Sequence, residues 1–592
     1  MVQKVMRTHG AGTVALSDVD QEVTLAGWVQ KRRDHGGITF FDLRDASGIV
    51  QVVADPLEHP TVEGLKMEFC VRVRGTVRKR PEGTENRDLA TGLVEIGVDE
   101  IEVLAPAETL PFMIDDRTEV DERTRLEHRY LDLRRPRMAA NLRARSRATA
   151  AIRRTLDEMG FLEVETPTLI NSTPEGARDM LVPSRHRQGE FYALPQSPQL
   201  FKQLLMISGV ERYFQIARCY RDEDTRADRQ VEFTQLDLEG AFWERDDVLD
   251  TIEKVLAATA AEIRGVEIPL PFPRLTWHEA MDRYGVDKPD LRFGMEIVDL
   301  TEHLAGSEFG VFRNAIDADG TVRAINTGRR EWSRARADQV TDRAKELGAQ
   351  GLVWMVVEDD GSLRSPVAKF LSESETESIK KATDAVAGDV LLIAAGRWRT
   401  TVEVLGGLRN DLGKPSGHDE LAFLWVIDFP LFEEDDDGSI TFSHHPFTSP
   451  VSIDAMREQP ETAISKAYDA VLNGIELGSG SIRIHDPEVQ RQVFEILGID
   501  RETAERRFGW FLEALQYGTP PHGGFAFGID RLVMVLQGES SIREVIPFPK
   551  TQTGVDPMTG APTWVEETQL AELGIELSAE ARSRRGEETG SG

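Results

Sequence analysis

The sequence predicts a multidomain protein of the α+β class, and three observations support this prediction. A chain of 592 residues corresponds to about three to five domains of ordinary size. Roughly the first 100 residues contain several short segments of alternating apolar and polar side chains, separated by Gly, Asp and Asn, which is typical of a small β-barrel or sandwich. The rest of the chain mixes helical periodicity with strand-like runs.

The composition argues against several classes of protein. Hydrophobic residues make up 40% of the chain and charged residues 29%, which does not fit a disordered, collagen-like or membrane-spanning protein. The two cysteines, Cys70 and Cys219, belong to no C-x-x-C or His/Cys cluster, so neither a disulfide framework nor a structural zinc site is indicated. The N-terminus has no hydrophobic signal segment, and we therefore expect a cytoplasmic protein without a membrane partner.

The charge is unevenly distributed along the chain. The formal net charge is −32, but residues 1–80 hold 12 Lys and Arg against 10 Asp and Glu, a net charge of +2. Residues 31–33 and 71–80 concentrate the positive charge, and Trp28, Phe40 and Phe41 lie among these basic residues. Cations and aromatic rings together indicate a single-stranded nucleic-acid platform. The alternative is a barrel whose aromatic rings form the core and whose arginines are only solvated.

The sequence after the barrel divides into a hinge, a helix, an α/β insertion and a tail. Residues 107–140 contain Pro and acidic residues followed by an Arg- and Leu-rich helical pattern, and they predict a hinge. An amphipathic helix over residues 151–159 ends at Gly160. Residues 291–420 combine short apolar strands at 352–357 and 390–394 with helices at 333–347 and 372–387, which predicts an α/β insertion. Residues 564–592 form an acidic tail.

Two segments suggest a nucleotide site. Residues 218–230 carry eight charged residues in a dozen positions between two strand-like runs, so a charged loop joins two strands there. Such a loop is often only a solvated hairpin tip, but an arginine held by carboxylates is also what binds a phosphoryl group. Residues 522–534 form a Gly-rich strand that leads into a helix with Arg531 at the junction, which suits close approach to a flat ligand.

Two further segments suggest a metal and a zwitterionic ligand. Asp469 and Glu476 flank an Asn-Gly turn, and two such carboxylates can converge on one Mg²⁺. Residues 196–202 and 172–176, with His444 and His445 later in the chain, supply polar groups of both signs. The adjacent histidines do not have a metal-binding spacing on a helix, and a satisfied loop histidine is the alternative. Residues 408–415 do not form a P-loop.

Together these segments resemble the class II aminoacyl-tRNA synthetases. Residues 160–169 (GFLEVETPTL), 220–223 (YRDE) and 528–531 (GIDR) are similar to motifs 1, 2 and 3 of that class, in the same order. The N-terminal barrel, Gln199 and Lys202 in Q-x-x-K, and the middle insertion narrow the resemblance to the bacterial-type aspartyl-tRNA synthetase family of subclass IIb. The resemblance covers residues 3–560.

The resemblance implies a domain order. Residues 1–106 would form an OB-fold that reads the anticodon, and residues 107–140 the hinge. Residues 141–290 and 421–563 would form the two parts of a catalytic domain built on an antiparallel β-sheet with flanking helices. Residues 291–420 would form an inserted, GAD-like domain, and residues 564–592 the C-terminal tail. The family is homodimeric, with motif 1 and Pro167 at the subunit interface.

The resemblance also implies the site residues. The catalytic residues would be Arg221, Glu223 and Arg531. The L-aspartate substrate would be held by Glu175, Ser197, Gln199, Lys202, Arg221, Asp237, His444, His445 and Arg483. ATP would be held by Arg221, Asp222, Glu223, Gln230, Glu476, Gly528, Ile529, Asp530 and Arg531. Asp469 and Glu476 would bind Mg²⁺.

The implied reaction needs no nucleophilic side chain. The aspartate carboxylate attacks the α-phosphate of ATP, pyrophosphate leaves, and a ribose hydroxyl of the tRNA then attacks the mixed anhydride. Catalysis would rest on positioning and charge stabilisation. Asparagine would be rejected because its neutral amide leaves Arg483 and Lys202 unpaired.

The implied tRNA partner depends on the barrel. Arg33, Phe40 and Gln51 match positions that contact the anticodon, and the basic strand at 71–80 is expected to add to the salt-sensitive association. His35 and Gly83 resemble the non-discriminating form of the family, which charges tRNA(Asn) as well as tRNA(Asp).

Several alternatives remain open. The enzyme could be strictly specific for tRNA(Asp), or it could be an asparaginyl- or lysyl-tRNA synthetase. It could also be a non-catalytic tRNA-binding paralogue, although Arg221, Glu223 and Arg531 are all present. A DNA-binding OB-fold protein fits least, so we do not expect DNA as a partner.

Overall fold

The computed structural model describes residues 5–172, 176–413, 415, 420–434 and 438–589. The chain divides into two compact units, Met1–Arg137 and Met138–Gly592. The predicted α+β class is confirmed, and each unit is described by itself.

The first unit contains a closed five-stranded barrel. Its strands are joined in the order β1-β2-β3-β5-β4. They are β1 (Glu22–His35), β2 (Ile38–Asp45), β3 (Gly48–Ala54), β4 (Cys70–Lys79) and β5 (Val94–Ala105). Every second residue faces inward, so Val23 and Leu25 of β1 and Val71 and Val73 of β4 are buried in one core. Phe41 belongs to that core, as the alternative interpretation of the aromatic residues proposed.

The basic strand β4 differs from the expectation. The Arg72 side chain is only 7% exposed and forms ion pairs with Glu100 at 3.2 Å and Glu102 at 2.8 Å on β5. Arg80 is also buried, and its Nε donates to the carbonyl oxygen of Val94. The prediction that this whole strand presents cations to a ligand is therefore wrong for Arg72 and Arg80, because acidic and carbonyl groups of β5 already bind them.

The helices of the chain have the following bounds. They are α1 (Glu122–Glu127), α2 (Arg129–Asp132), α3 (Pro136–Glu158), α4 (Gln199–Ile207), α5 (Arg245–Arg264), α6 (Trp277–Tyr284), α7 (Gly310–Asp317), α8 (Arg334–Glu346), α9 (Glu373–Ala382), α10 (Trp398–Leu412), α11 (Ile453–Glu458), α12 (Pro487–Ile496), α13 (Arg501–Ala514), α14 (Ile529–Gln537), α15 (Glu567–Leu573) and α16 (Ala579–Thr589). Short 3₁₀ turns connect several of them. Among the described residues, no helix is long and apolar enough to cross a membrane.

The strands of the second unit are β6 (Leu162–Glu163), β7 (Leu181–Pro183), β8 (Phe191–Ala193), β9 (Arg212–Tyr220), β10 (Glu232–Ala241), β11 (Arg274–Thr276), β12 (Ile297–Asp299), β13 (Thr321–Arg329), β14 (Val353–Val357), β15 (Leu363–Arg364), β16 (Asp389–Gly396), β17 (Phe423–Ile427), β18 (Phe432–Glu434), β19 (Ile440–Phe442), β20 (Ala467–Leu472), β21 (Ile475–Ile482) and β22 (His522–Gly528).

An eight-stranded sheet organises this unit. Its strand order is β11-β17-β20-β21-β22-β10-β9-β6. The six central strands are antiparallel, as the family resemblance implies. The two outermost pairs, β11 with β17 and β6 with β9, are parallel, so the sheet is mixed at its edges.

The two faces of this sheet have different chemistry. Leu236 and Leu238 of β10 and Phe525 and Phe527 of β22 point to one face, where α3, α5 and α14 complete a large apolar core. Because side chains alternate along a strand, the residues between them point to the opposite face. On β10 those residues include Asp237, which places polar groups on a rigid, well-packed support.

The middle of the second unit carries a separate five-stranded sheet in the order β12-β13-β16-β14-β15. Its strand β16 is apolar at consecutive positions because both faces of the sheet are covered by cores. The strands expected at 352–357 and 390–394 correspond to β14 and β16, and the helix expected at 333–347 corresponds to α8. The helix expected at 372–387 is α9, which ends at Ala382. The chain leaves the larger sheet after β11 and returns at β17, the hydrogen-bonded neighbour of β11.

Candidate active site

The polar face of the eight-stranded sheet forms the floor of a cleft with a volume of about 580 Å³. Most of the residues expected at the site line this cleft. They are Ser197, Gln199, Lys202, Arg221, Glu223, Gln230, Asp237, His444, His445, Glu476, Arg483, Gly528, Asp530 and Arg531. Glu175 lies outside the described residues.

Strand register brings distant parts of the chain together on this floor. Asp237 on β10 lies opposite Ala526 on β22, and Ala526 lies opposite Ser479 on β21. Ser479 in turn lies opposite Asp469 on β20. Asp237 and Asp469 therefore mark two ends of one row across four strands, on the face away from the main core.

Four buried charges cluster at the floor of the cleft, and three of them, Lys202, Asp237 and Arg483, line it. Lys202 Nζ lies 3.0 Å from Asp237 Oδ1 and 3.4 Å from Glu239 Oε2. Arg483 Nε lies 2.9 Å from Glu239 Oε1. None of the four side chains is more than 5% exposed. Two cations and two carboxylates thus offset each other in a buried cluster.

The charges in this cluster stabilise each other. Burial raises the pKa of Asp237, and Lys202 offsets part of that effect. Burial also disfavours the Glu239 carboxylate, but Arg483 and Lys202 outweigh it and hold the pKa of Glu239 below its usual range. Burial works to lower the pKa of Arg483, and the Glu239 carboxylate reverses the direction. Glu239 and Arg483 are consequently a firmly ionised pair.

Glu239 is a residue that the sequence reasoning missed. It lies two positions after Asp237 on β10, so both carboxylates point to the same face. This two-residue spacing on a strand is the sequence signal that could have identified Glu239. Gly524 lies opposite Glu239 and leaves room for its carboxylate, because a Cβ at Gly524 would lie 1.9 Å from Glu239 Oε2.

Several buried polar atoms of the cleft have no hydrogen-bond partner in the described part of the chain. They are Gln199 Nε2, Arg221 Nε, Asp237 Oδ2, His444 Nδ1 and His445 Nε2. Buried polar groups without partners are costly, and they are rare in native proteins. Donors and an acceptor that converge in one cleft indicate a polar ligand with groups of both signs.

The two histidines have different electrostatic settings. Burial lowers and Asp469 raises the pKa of His444, and the net shift is upward because His444 Nε2 lies 3.1 Å from Asp469 Oδ1. Burial, reinforced by Arg483 and Lys202, lowers the pKa of His445 to about 3. His445 is therefore neutral at physiological pH, and its Nδ1 accepts a hydrogen bond from the backbone N–H of Phe447.

The expected metal pair lies on the β20–β21 hairpin. Burial raises the pKa of Asp469, with a contribution from Glu476, while His444 acts in the opposite direction. Glu476 lines the cleft, and its Oε2 lies 3.8 Å from Lys288 Nζ. Across the described ranges, no group of three or more His, Cys, Asp or Glu side chains could hold a metal. A bound Mg²⁺ would depend on these two carboxylates and on ligand oxygens.

The charged loop after β9 supplies the expected arginine. The Arg221 guanidinium lies over the Phe233 ring, 5.2 Å from its centroid, and lines the cleft. Glu223 also lines the cleft and lies 3.5 Å from Arg229. Asp222 does not line the cleft. Together with Glu223 and Asp224, it lines a neighbouring depression.

Arg531 and its neighbour Asp530 are both held by contacts to other parts of the unit. Arg531 Nη1 donates to the backbone carbonyl oxygen of Glu476 at 2.6 Å, and its Nη2 lies 3.4 Å from Asp228. Asp530 is 3% exposed, pairs with Arg145, and accepts a hydrogen bond from the backbone N–H of Thr234.

Two other residues expected at the ATP site are mainly supports. The Ile529 side chain is buried in the main core, away from the cleft. The Gln230 amide both donates to and accepts from the backbone of Lys550, at 3.1 and 2.8 Å. The Gln230 contacts connect the loop before β10 to Lys550, and Gln230 itself lines the cleft.

Family comparisons agree with this geometry. A model described as tRNA synthetases class II (D, K and N) matches residues 121–552, and one described as an OB-fold nucleic acid binding domain matches residues 23–105. The chain belongs to the class II tRNA synthetases. The family resemblance inferred from the sequence is confirmed, and the chain is an aminoacyl-tRNA synthetase with ATP as a substrate.

Relatives of this synthetase match almost its entire length. The Aspartate--tRNA(Asp/Asn) ligase of Moorella thermoacetica is 51% identical over 97% of this chain and 97% of its own. The ligase of the same name from Thermobifida fusca is 50% identical over 97% of this chain and 99% of its own.

Solved structures match the fold of the synthetase. Asparaginyl-tRNA synthetase from Pyrococcus horikoshii, complexed with asparaginyl-adenylate, is 20% identical with a TM-score of 0.57, covering 93% of this chain and 99% of its own. Aspartyl tRNA synthetase from Entamoeba histolytica is 20% identical with a TM-score of 0.56, and the match covers 90% of this chain and 89% of that one.

The barrel of the synthetase presents a polar face of its own. Arg33 on β1 lies opposite Phe40 on β2 and forms an ion pair with Asp42 at 3.0 Å. Asp42 lies opposite Gln51 on β3, whose Nε2 donates to Glu95 on β5. Strand register thus brings Arg33, Phe40 and Gln51 together.

The two residues expected to set anticodon tolerance lie in turns. His35 is exposed at the end of β1, directly before two glycines with positive φ, Gly36 and Gly37. Gly83 lies in the loop between β4 and β5 with a φ of +86°, and a Cβ there would meet no atom within 4 Å. Neither residue is held by packing against a large side chain.

Proposed function

We propose that this synthetase attaches L-aspartate to tRNA(Asp), and also to tRNA(Asn), through an aspartyl-adenylate. The observation that carries the proposal is the buried Lys202–Asp237–Glu239–Arg483 cluster beneath a cleft whose unpartnered polar atoms have both signs. The names of the relatives support the same amino acid and the same two tRNAs.

The cluster suits an amino acid with a side-chain carboxylate. Lys202 and Arg483 have more hydrogens than their contacts to Asp237, Glu239 and Ser481 use. Those hydrogens can bind the aspartate carboxylate, while Asp237 Oδ2 accepts from the α-ammonium. Asparagine would present its amide N–H₂ to cations, and such a mismatch beside buried charges is strongly unfavourable.

The rest of the aspartate site follows from the cleft walls. Ser197 and Gln199 lie at the start of α4, beside Lys202, and His444 and His445 lie on the opposite wall. Glu175 keeps the role that the resemblance implies, near the α-ammonium. Together these residues enclose the amino acid from several directions, which fixes its carboxylate for attack.

ATP would bind along the remainder of the cleft. Arg221 contacts the α-phosphate, Glu223 lies near the adenine or its ribose, and Arg531 meets the γ-phosphate. Asp222, Gln230, Gly528, Ile529 and Asp530 shape this end of the site. Since no covalent intermediate with the protein is needed, the residues act by holding the reactants in line and by stabilising negative charge.

Asp469 and Glu476 would hold Mg²⁺. The carboxylates fit such an ion because they are hard oxygen ligands on one hairpin, and Glu476 disfavours the charged form of Asp469. When bound, the ion would neutralise negative charge on the phosphates of ATP. In the protein itself, Lys288 lies 3.8 Å from the Glu476 carboxylate and His444 lies 3.1 Å from that of Asp469.

The quaternary and domain organisation is part of the same proposal. The domain limits are those given above, 1–106, 107–140, 141–290, 291–420, 421–563 and 564–592. The synthetase would act as a homodimer through the motif 1 edge, where strand β6 is outermost in the sheet and the Leu162 side chain is exposed. Pro167 is exposed beside it. We place the synthetase in the cytoplasm, consistent with its free thiols.

The test of the amino-acid activation step is the Arg221→Ala variant. We expect it to abolish aspartate-dependent ATP–pyrophosphate exchange, because a cation at the α-phosphate is lost. Arg187→Ala is a matched control, since Arg187 is exposed and pairs only at the surface with Glu190. Near-normal exchange by Arg221→Ala would refute the assigned role.

Charging of purified tRNA(Asp) and tRNA(Asn) tests the breadth of tRNA use. We expect both to accept aspartate, because His35 can donate or accept a hydrogen bond and Gly83 is small. Charging of tRNA(Asp) alone would contradict the broader activity and leave the aspartate specificity intact.

A further inference from the structure

A lysine outside the expected site residues reaches the phosphate end of the cleft. Lys288 lies in the segment that joins α6 to β12, and it lines the cleft beside Glu476. Its Nζ lies 3.8 Å from Glu476 Oε2 and 3.8 Å from Asp287 Oδ1, too far for a direct hydrogen bond. The side chain is 48% exposed, so a ligand can reach it.

The segment that carries Lys288 is held in place from the inserted sheet's side. Arg409 on α10 is fully buried, and it donates to the backbone carbonyl oxygens of Asp290, Phe293 and Gly294 at 2.8 to 3.1 Å. Arg292 also binds the Asp290 carboxylate through two nitrogens. Lys288 is therefore displayed from a fixed backbone, which reduces the entropy cost of binding a ligand.

The same segment packs against the hairpin of the metal pair. A Cβ at Gly474, in the β20–β21 turn, would lie 3.1 Å from Asp290 Cβ. Glu476 follows two residues later. The carbonyl oxygen of Glu476 accepts from Arg531, while its carboxylate faces Lys288. Lys288 and Arg531 thus approach the same residue, one at its side chain and one at its backbone.

We propose that Lys288 contacts the β- and γ-phosphates of ATP and, in the reverse direction, pyrophosphate. This inference rests on the proposed function, which assigns Arg531 to the γ-phosphate and Glu476 to the metal. An ammonium group is a compact charge that suits a phosphate group approached from one side. Glu476 and Asp287 hold it near the cleft without satisfying its hydrogens.

Lys288 would assist the step in which pyrophosphate leaves the α-phosphorus. An aspartate carboxylate oxygen forms a bond to the α-phosphorus, and the bond from that phosphorus to the bridging oxygen of the β-phosphate breaks. The bridging oxygen leaves with the electron pair, so pyrophosphate gains negative charge. A cation fixed beside the β- and γ-phosphates stabilises that charge as it develops.

The experiment uses the full-length chain with Lys288→Ala and Lys288→Arg. In ATP–pyrophosphate exchange we expect Lys288→Ala to raise the KM values for ATP and pyrophosphate about 10- to 100-fold, the range for a hydrogen bond to a charged group. Lys288→Arg should restore most of the loss, and the KM for aspartate should not change. Lys345→Ala, on the surface of α8, is the matched control and should behave as the parent.

Two readouts separate this role from a structural one. Thermal unfolding of Lys288→Ala should match the parent, and binding of pyrophosphate alone, measured by calorimetry, should weaken. Unchanged KM values for ATP and pyrophosphate, or a rise confined to aspartate, would overturn the inference. Absence of aspartate-dependent exchange in the parent would instead refute the proposed function, and the calorimetric comparison would still test Lys288.

Discussion

Arg483 Nε donates a hydrogen bond to Glu239 Oε1 at 2.9 Å, and both side chains are buried beneath the cleft. The two residues are 244 positions apart in the sequence. The pair turns the guanidinium of Arg483 so that Nη1 reaches Ser481 at 2.7 Å. A carboxylate that does not line the cleft thus determines how the guanidinium of Arg483 is presented to it.

Replacing Glu239 with Gln should destabilise the synthetase by about 3 kcal/mol, because it leaves a buried cation without its counter-charge. Chemical denaturation at neutral pH measures the change. Glu488→Gln is the control, since Glu488 lies on the surface with Arg491, and its denaturation midpoint should equal that of the parent. A Glu239→Gln midpoint equal to that of the parent would contradict the structural importance of the pair.

Replacing Arg483 with Lys tests geometry at constant charge. Lysine cannot form the two-nitrogen contact with Glu239, so the cation no longer has a fixed direction. We expect the KM for aspartate to rise on the order of 10- to 100-fold and the preference for aspartate over asparagine to fall. Steady-state exchange with each amino acid measures both. An unchanged preference would show that charge alone selects aspartate.

Gly524→Ala should reproduce the effect of disturbing Glu239. The added Cβ would lie 1.9 Å from Glu239 Oε2 and 2.3 Å from the carbonyl oxygen of Leu238, so the carboxylate must move. We expect a loss of stability of about 1–3 kcal/mol and a higher KM for aspartate. Gly509→Ala in α13 has open space at its Cβ and should be neutral or slightly stabilising. Equal behaviour of the two variants would contradict the crowding argument.

His445 should make the folded state more sensitive to acid. Its pKa is about 3 in the folded protein, against 6.5 for an unperturbed histidine. Between these values the unfolded chain binds a proton that the folded chain refuses, so stability falls as the pH decreases from about 6.5 toward 3. His445 changes the free energy of unfolding by at most about 1.4 kcal/mol per pH unit.

Urea denaturation at several pH values checks the His445 prediction. His445→Gln should lose less stability than the parent between pH ~7 and ~5, because one proton-linked group is removed. The exposed His303 provides the control, and His303→Gln should keep the parental slope. Parallel curves for His445→Gln and the parent would contradict the neutral, buried state of His445.

The barrel arginines should separate into a binding group and a structural group. Arg33 has a 47% exposed side chain, whereas Arg72 is 7% exposed and paired with acids. Arg33→Gln should weaken tRNA(Asp) binding and reduce the slope of log K against log salt by about 1. Arg72→Gln should destabilise the barrel with little effect on that slope. Fluorescence anisotropy over about 50–200 mM salt distinguishes them, and the reverse pattern would refute the division.

Local patterns in the sequence predict much of the fold. The alternation of Val71 and Val73 with polar neighbours is sufficient to predict a barrel strand, and a continuous apolar run predicts β16. Local patterns do not show which strands are neighbours. β10 pairs with β22 far along the chain, and only that pairing brings Glu239 against Gly524.

Sequence patterns predict the site incompletely for the same reason, because they do not show which distant segments come together. The roles expected of Asp237 and Arg483 come from the family resemblance, which other segments of the chain carry. Lys288 has no motif around it, and the segment that follows it is bound by Arg409 of a helix more than 100 residues away in the sequence. Arg72 was misread because alternation identifies the face of a strand but not what covers that face.

The parallel pairing of β11 with β17 has a consequence for how this chain could have arisen. From the larger sheet, the roughly 150 intervening residues amount to one crossover connection between two neighbouring parallel strands. Loop-closure entropy grows only logarithmically, so replacing the shortest crossover that a parallel pair allows, about a dozen residues, with this excursion costs about 2 kcal/mol. A module with its own two cores can recover that cost when it folds. The sheet could have accepted such an addition without changing the register of any strand that forms the cleft.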